Sequence, residues 1–211
     1  MMGSVEGRWL AGAGRWLGAL LVAVALAGCT LPQDTSPPPQ AYLLDGGGYA
    51  PPSARRAGDK TLLVTAPKAA PGFDSNRIAY IKEPLKLDYY SNNVWSDTPA
   101  KMLLPILVRA FEGTGAFKAV ISPPAPTLAD MRVDVDVIRL QQEFMTRPSQ
   151  VRLTARIKVL NMRNGQVLAT QVFEATATAP SEDAYGAARA ANAAVEKLLG
   201  DIVPFALRYL G

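Results

Sequence analysis

The sequence predicts an α/β fold: a two-layer sandwich in which a mixed sheet with an antiparallel C-terminal meander is packed by two helices. Three observations carry this expectation. Met131, Val133, Val135 and Val137 alternate with Arg132, Asp134 and Asp136, and Val151 to Val159 repeats the pattern, which is the period-two signature of strands with one face in a core. Two other segments, Met102 to Phe111 and Val195 to Tyr209, place their apolar residues at helical spacing. Between them lie short continuous apolar runs of the kind that fill buried strands.

The first element is not part of the fold. Arg8 and Arg15 supply positive charge, Trp16 to Ala27 is uncharged and apolar, and Leu26-Ala27-Gly28-Cys29 follows. That order is a bacterial lipoprotein signal, with cleavage between Gly28 and Cys29 and diacylglyceryl transfer to the Cys29 sulfur. The apolar run is nearer a dozen residues than the roughly 20 a spanning helix needs, so residues 1–28 are expected to be removed and acyl chains to anchor the chain. The alternative is a buried, unmodified cysteine in a short N-terminal helix. Thr30, where lipoproteins kept at the inner membrane commonly carry Asp, directs the expectation to the outer membrane, facing the periplasm. Residues 29–40 contain Pro37-Pro38-Pro39 and no apolar periodicity, and read as a tether.

The remaining 41–211 should form one domain. Tyr42-Leu43-Leu44 is a short apolar segment before Gly46-Gly47-Gly48, and the stretch to Asp59 has loop composition. Thr61 to Thr65, closed by Pro67, predicts a strand near the centre of the sheet. Arg77 to Ile81 and Lys86 to Tyr90 predict two strands joined by the turn Lys82-Glu83-Pro84-Leu85. Ser96-Asp97-Thr98-Pro99 opens the first helix with a capping side chain and proline in the first turn, and Gly113 and Gly115 close it. Pro105 inside this helix predicts a kink or a wet turn. Phe117 to Ile121 predicts a further strand, stopped by Pro123-Pro124. The meander follows, its last hairpin expected to make a tight type I′ turn at Asn164-Gly165, because both residues tolerate the positive φ such a turn requires. Ser181 is the expected N-cap of the final helix, which Pro204 should bend.

Composition excludes several kinds of chemistry. The chain has no histidine, so Ser-His-Asp and Cys-His sites cannot form, and the single cysteine rules out both a disulfide framework and a thiolate zinc site. Removing residues 1–28 takes away two positive charges and one negative, leaving +3 from a formal +4, with no basic run longer than Arg55-Arg56. Nucleic acid is therefore not an expected partner. No metal or cofactor is expected beyond covalent lipid on Cys29, and no enzymatic activity. Asp134 and Asp136 read as cross-strand ion pairs with Arg152, Arg156 or Lys158, the alternative being a carboxylate pair acting on a substrate.

Two groups of residues suggest contact with a partner. Tyr80, Tyr89, Tyr90 and Trp95 cluster just before the first helix, and aromatic side chains dominate binding hot spots; they equally suit a core or a sheet edge. Phe144 and Met145, in the expected loop between Leu140 and Val151, are a second candidate contact, or a continuation of the strand.

Taken together, Cys29 with its flanks, Tyr42-Leu43-Leu44, Arg77-Ile78-Ala79-Tyr80, Tyr89-Tyr90, Trp95, Ser96-Asp97-Thr98-Pro99 and Gly115-Ala116-Phe117 resemble the ABC-type transport auxiliary lipoprotein family. The resemblance covers about residues 41–210 and includes the lipoprotein of paraquat-inducible transport systems. It implies a periplasmic role in lipid movement between membranes, as a docking or conduit module beside a mammalian-cell-entry (MCE) domain protein and an ABC permease and ATPase. Phospholipid is a further implied partner, and a homo-oligomer a possible state. No Gly-x-x-x-x-Gly-Lys-Ser/Thr loop occurs, so the ATPase would be a separate subunit. The competing reading is a structural lipoprotein that assists assembly of another outer-membrane complex.

Overall fold

A computed structural model of the chain describes residues 37–53, 58–125 and 128–210. Cys29, the cleavage site at Gly28 and most of the tether lie outside the described residues. Among the described residues no helix is long and apolar enough to cross a membrane.

The longest strands organise everything else. β7 (Met131–Glu143), β8 (Gln150–Asn161) and β9 (Gln166–Thr178) form the expected antiparallel meander, but Asn161 pairs with Gln166, so the last hairpin closes through the four residues 162–165 with only Gly165 at positive φ (+71°) and not through a two-residue type I′ turn at Asn164-Gly165. The free edge of β7 then receives three short parallel strands end to end. β2 (Thr61–Val64) lies beside Met131–Val133, β3 (Lys68–Ala69) beside Asp136–Val137, and β4 (Arg77–Glu83) beside Gln142–Glu143. Beyond them, β6 (Ala119–Ile121) is parallel to β2, β5 (Lys86–Trp95) is antiparallel to β4, and β1 (Gln40–Tyr42) is parallel to β5. The result is an open mixed sheet of nine strands.

β2 sits between β6 and β7, as its unbroken apolar run predicts, with Leu62 and Val64 fully buried. The strand expected from Phe117 begins at Ala119 instead, because Phe117 turns to pack edge-on against Phe111 at 6.3 Å. β5 runs five residues past Tyr90, since it carries a large register shift against β4 and then pairs with β1.

Helix α1 (Pro99–Glu112) starts as predicted: the Thr98 side chain accepts the Lys101 backbone N–H, and Pro99 occupies the first turn. It runs without a break through Pro105. Pro105 and Lys101, whose carbonyl loses its helical partner, both lie on the exposed side of the helix, so the missing bond falls on the solvent-facing side and not in the core. Helix α2 (Ala184–Leu210) starts later than expected, and Asp183 rather than Ser181 caps it: Asp183 Oδ1 accepts the Gly186 N–H at 2.7 Å, while Ser181 Oγ donates to the same oxygen. Gly186 is required there, because a Cβ would stand 2.0 Å from the Ser181 carbonyl oxygen.

Both helices cover one face of the sheet. α2 packs on β8, β9 and β7 through Ala184, Ala187, Ala191, Ala194 and Leu198, small side chains that let its axis come close to the strands. The core is continuous from Leu62 and Phe111 under α1 to Leu153, Ile157 and Val203 under α2.

The other face is open, and it holds the ion pairs. Asp136 accepts from Lys158 Nζ at 2.9 Å; Asp134 is bound by Arg132 at 2.6 Å and by Thr65 Oγ1 at 2.6 Å. Both aspartates therefore have structural partners, although Lys158 reaches diagonally to Asp136 and not to Asp134 directly opposite.

A register shift between Val137 and Arg139 inverts the alternation of β7. Before it the odd-numbered residues face the helices; after it Leu140 and Gln142 do, and Gln141 and Glu143 are turned to the open face. Glu143 is nevertheless 4 % exposed. Arg152 grips it with two hydrogen bonds of 2.9 and 3.0 Å, Gln141 donates a third at 3.0 Å, and Arg152 also binds Glu174 on β9. Burial pushes the Glu143 carboxyl up, but the hydrogen bonds from Arg152 and Gln141 more than reverse this and hold it below the ordinary glutamate value.

Candidate partner-docking site

The pairing of Ile81 with Glu143 brings the end of β4 beside the end of β7, so the β4–β5 turn and the β7–β8 loop share one end of the sheet. Here the structure gathers most of the aromatic residues singled out in the sequence. Tyr80 and Tyr90 stack at a tilt with ring centroids 4.9 Å apart, and Phe144 meets Tyr80 edge-on at 5.9 Å. Such pairs add about 0.5–1.5 kcal/mol beyond the area they bury. The Phe144 N–H donates to the Ile81 carbonyl at 2.9 Å, which fixes the start of the loop on β4. Lys82 Nζ lies 5.3 Å from the Tyr80 ring centre and 6.0 Å from that of Phe144, over the negative face of the cluster.

A polar relay runs beneath the rings. Tyr90 Oη donates to Gln142 Oε1 at 2.7 Å, Gln142 Nε2 donates to Ser149 Oγ at 2.8 Å, and the Ser149 N–H donates to Glu182 Oε1 at 2.8 Å. Burial first, then the negative field of Asp183, pushes the Tyr90 hydroxyl up to about 12, so it is a permanent neutral donor at any physiological pH. Glu182 is held below its ordinary range by the Ser149 backbone N–H. The relay locks Tyr90 and leaves Tyr80 and Lys82 to face outward.

Tyr80, Lys82, Tyr89, Tyr90, Ser91, Phe144 and Glu182 line a cleft of about 200 Å³. That is below the roughly 300–1,000 Å³ of a typical small-molecule pocket. It suits one or two partner side chains against an aromatic wall, with a cation and a carboxylate at the rim. Tyr89 reaches it from a different setting: Arg77 stacks 3.6 Å over its ring, and its hydroxyl donates to the Gly72 carbonyl at 2.9 Å.

Two of the expected contact residues do not belong. Trp95 is 3 % exposed and sits in the core, because the extra residues in β5 turn it under α2 beside Ile78 and Leu140; it cannot touch a partner. Met145 is 47 % exposed on the β7–β8 loop but lies outside the cleft lining. Sequence reasoning missed Lys82, Gln142 and Glu182. Lys82 stood in a segment read only as a turn, and Gln142 faces inward only because of the register shift. Among the described residues no group of three or more His, Cys, Asp or Glu could hold a metal ion.

The fold and this end of the sheet define a class: a small open-sheet α/β domain with an aromatic cleft at one end of its sheet. The family model for the ABC-type transport auxiliary lipoprotein component matches residues 42–203, and the chain belongs to that family. Among solved structures, protein XCC0632 from Xanthomonas campestris, of the DUF330 family, is 25 % identical with a TM-score of 0.70. The match covers 80 % of this chain and 94 % of that one. The hypothetical protein CT253 from Chlamydia trachomatis is 10 % identical with a TM-score of 0.51, covering 72 % of this chain and 98 % of its own, and shares the fold alone. No curated protein matches the sequence.

Proposed function

We propose that this auxiliary lipoprotein is the docking module of an MCE-type lipid transport system. It is lipidated on Cys29, held at the outer membrane of a Gram-negative envelope and exposed to the periplasm, and it is non-enzymatic. The carrying observation is the Tyr80–Tyr90–Phe144 cleft, which is preorganised by the Tyr90–Gln142–Ser149–Glu182 relay and presents its open aromatic wall beside Lys82. Preorganised aromatic surface contributes to affinity because little side-chain entropy is lost on binding. The cleft beside Tyr80, about 200 Å³, and the one beside Leu85 and Ile138, about 390 Å³, are both open grooves too small to enclose a phospholipid, which favours docking over carriage by a single domain; a conduit would need several copies.

The test places a photocrosslinking benzoylphenylalanine at Tyr80 of the full chain in living cells. Crosslinking to an MCE-domain protein is expected, and Tyr80→Ala with Lys82→Glu should abolish co-purification while leaving the lipoprotein at normal abundance. Crosslinks only to an unrelated outer-membrane assembly would transfer the protein to the structural-lipoprotein reading. For the anchor, Cys29→Ser should accumulate as unprocessed precursor without incorporated palmitate; normal processing of that variant would remove Cys29 from the account.

A further inference from the structure

The same end of the sheet carries a second surface, which adjoins the cleft at Lys82. Leu85, at the tip of the β4–β5 turn, is fully exposed and held at φ +67°, the sole described non-glycine residue with positive φ. Met145, at the tip of the neighbouring β7–β8 loop, is the other exposed large apolar side chain here. Around them stand Lys82, Lys86 and Arg147, all exposed, with Glu83 as the one acidic residue of the turn, 3.6 Å from Lys86. Two projecting apolar tips with a cationic rim match a surface that dips into the boundary between headgroups and acyl chains.

The course of the chain points to the same end. Gln40 lies beside Asn93, and Val94 lies beside Arg77, so β1 starts about level with Ile78 of β4. β1 is parallel to β5, so going backward from Gln40 the chain heads toward the β4–β5 turn. From Ile78 to Pro84 is six residues, about 20 Å of strand at roughly 3.3 Å each. The ten residues between Cys29 and Gln40 can span up to about 36 Å, which reaches past the Leu85 tip with chain to spare. The opposite end, where Met131 pairs with Asn161, also exposes Leu128 and Met162 beside Arg163 and is about nine β7 residues from the same level, roughly 30 Å, but the chain leaves β1 heading away from it, so direction and not reach separates the two ends.

From the direction in which the chain leaves β1 and the apolar tips it approaches, the geometry points to the Leu85 and Met145 tips as the membrane-facing end of the domain, seated in the interface of the bilayer that holds the Cys29 lipid. This orientation rests on the lipid-anchor reading. It sets the aromatic cleft at the bilayer surface, where a docked partner would meet the membrane.

The experiment uses the full lipidated chain, whose only native thiol is consumed by the anchor. Leu85→Cys, Met145→Cys and Met162→Cys each add one free thiol at an exposed position, the last at the opposite end of the sheet. Each is labelled with an NBD maleimide and reconstituted in vesicles of phosphatidylethanolamine and phosphatidylglycerol that contain a nitroxide-labelled lipid. Labels at 85 and 145 should shift to the blue and be quenched about twofold or more over the label at 162, as expected of groups buried about 5–10 Å into the interface against one in water. Equal quenching at all three positions, or none at 85 and 145, overturns the proposal. Mass measurement before reconstitution separates the two readings, since an unmodified Cys29 sinks the anchor itself, whereas a lipidated chain with unquenched tips sinks only this orientation.

Discussion

Under α2, strand β8 presents Val151, Leu153, Ala155, Ile157 and Val159 to a row of helix alanines, whereas the other face of the same strand carries Arg152, Thr154, Arg156 and Lys158. One face is held by apolar packing with no polar atom to satisfy. The other has no covering layer, and it ties β7, β8 and β9 together through side-chain pairs such as Glu143–Arg152–Glu174 and Asp136–Lys158. The open face is therefore not uniform: near the turn end the charges around Glu143 are buried, while those at Asp134 and Asp136 are hydrogen-bonded but partly solvated.

Substitutions on the two faces put this contrast to the test. Leu153→Ala, on the closed face, should cost the most, about 3–4 kcal/mol of unfolding free energy in urea, since the cavity under α2 is ringed by side chains too short to fill it; a loss below about 1 kcal/mol would mean the helix relaxes onto the sheet and that packing there is loose. Glu143→Gln is next, at about 3 kcal/mol near neutral pH, because it strips the buried partner from Arg152. This loss also depends on pH. The carboxyl is held below its ordinary value of 4.5 in the fold, so its stabilisation is complete above that value and disappears as pH falls through the lower folded value. The melting temperatures of wild type and variant should therefore converge in acid; a constant gap down to low pH would assign the effect to shape and not charge. Asp136→Asn should be smallest, under about 1 kcal/mol, because Asp136 and Lys158 are both partly solvated and salt screens them. A larger loss, unchanged by salt, would show that the wet part of the open face holds the strands as firmly as the part around Glu143.

Much of this was legible in the residues. The two periodicities, 2 over β7 and β8 and 3.6 over α1 and α2, reveal themselves locally because each face of an element sees one environment. The Thr98-Pro99 helix start and the place of the β8–β9 hairpin were equally readable, since each depends on a few adjacent residues, although the hairpin closes through four residues and not the two-residue turn that Asn164-Gly165 suggests. What failed, failed where pairing partners are distant. Ser181 looked like a cap because its neighbour Asp183 is as good a one, and the choice between them fell to the geometry of Gly186. Trp95 looked like a docking residue because sequence places it near Tyr89 and Tyr90; the shifted register of β5 sends it under α2 into the core, while Tyr90 stays half-buried in the wall of the cleft.

The strand meander, the helices that pack on it, and the exclusion of histidine and disulfide chemistry all follow from the order of residues alone, because each rests on local patterning or on which atoms the chain possesses. Which aromatic residues meet, which charges are buried and which loops share an end of the sheet were settled only when the chain folded. Those outcomes depend on three short strands lining up along one edge of β7 and on a single register shift at Ile138, and neither leaves a mark that neighbouring residues can reveal.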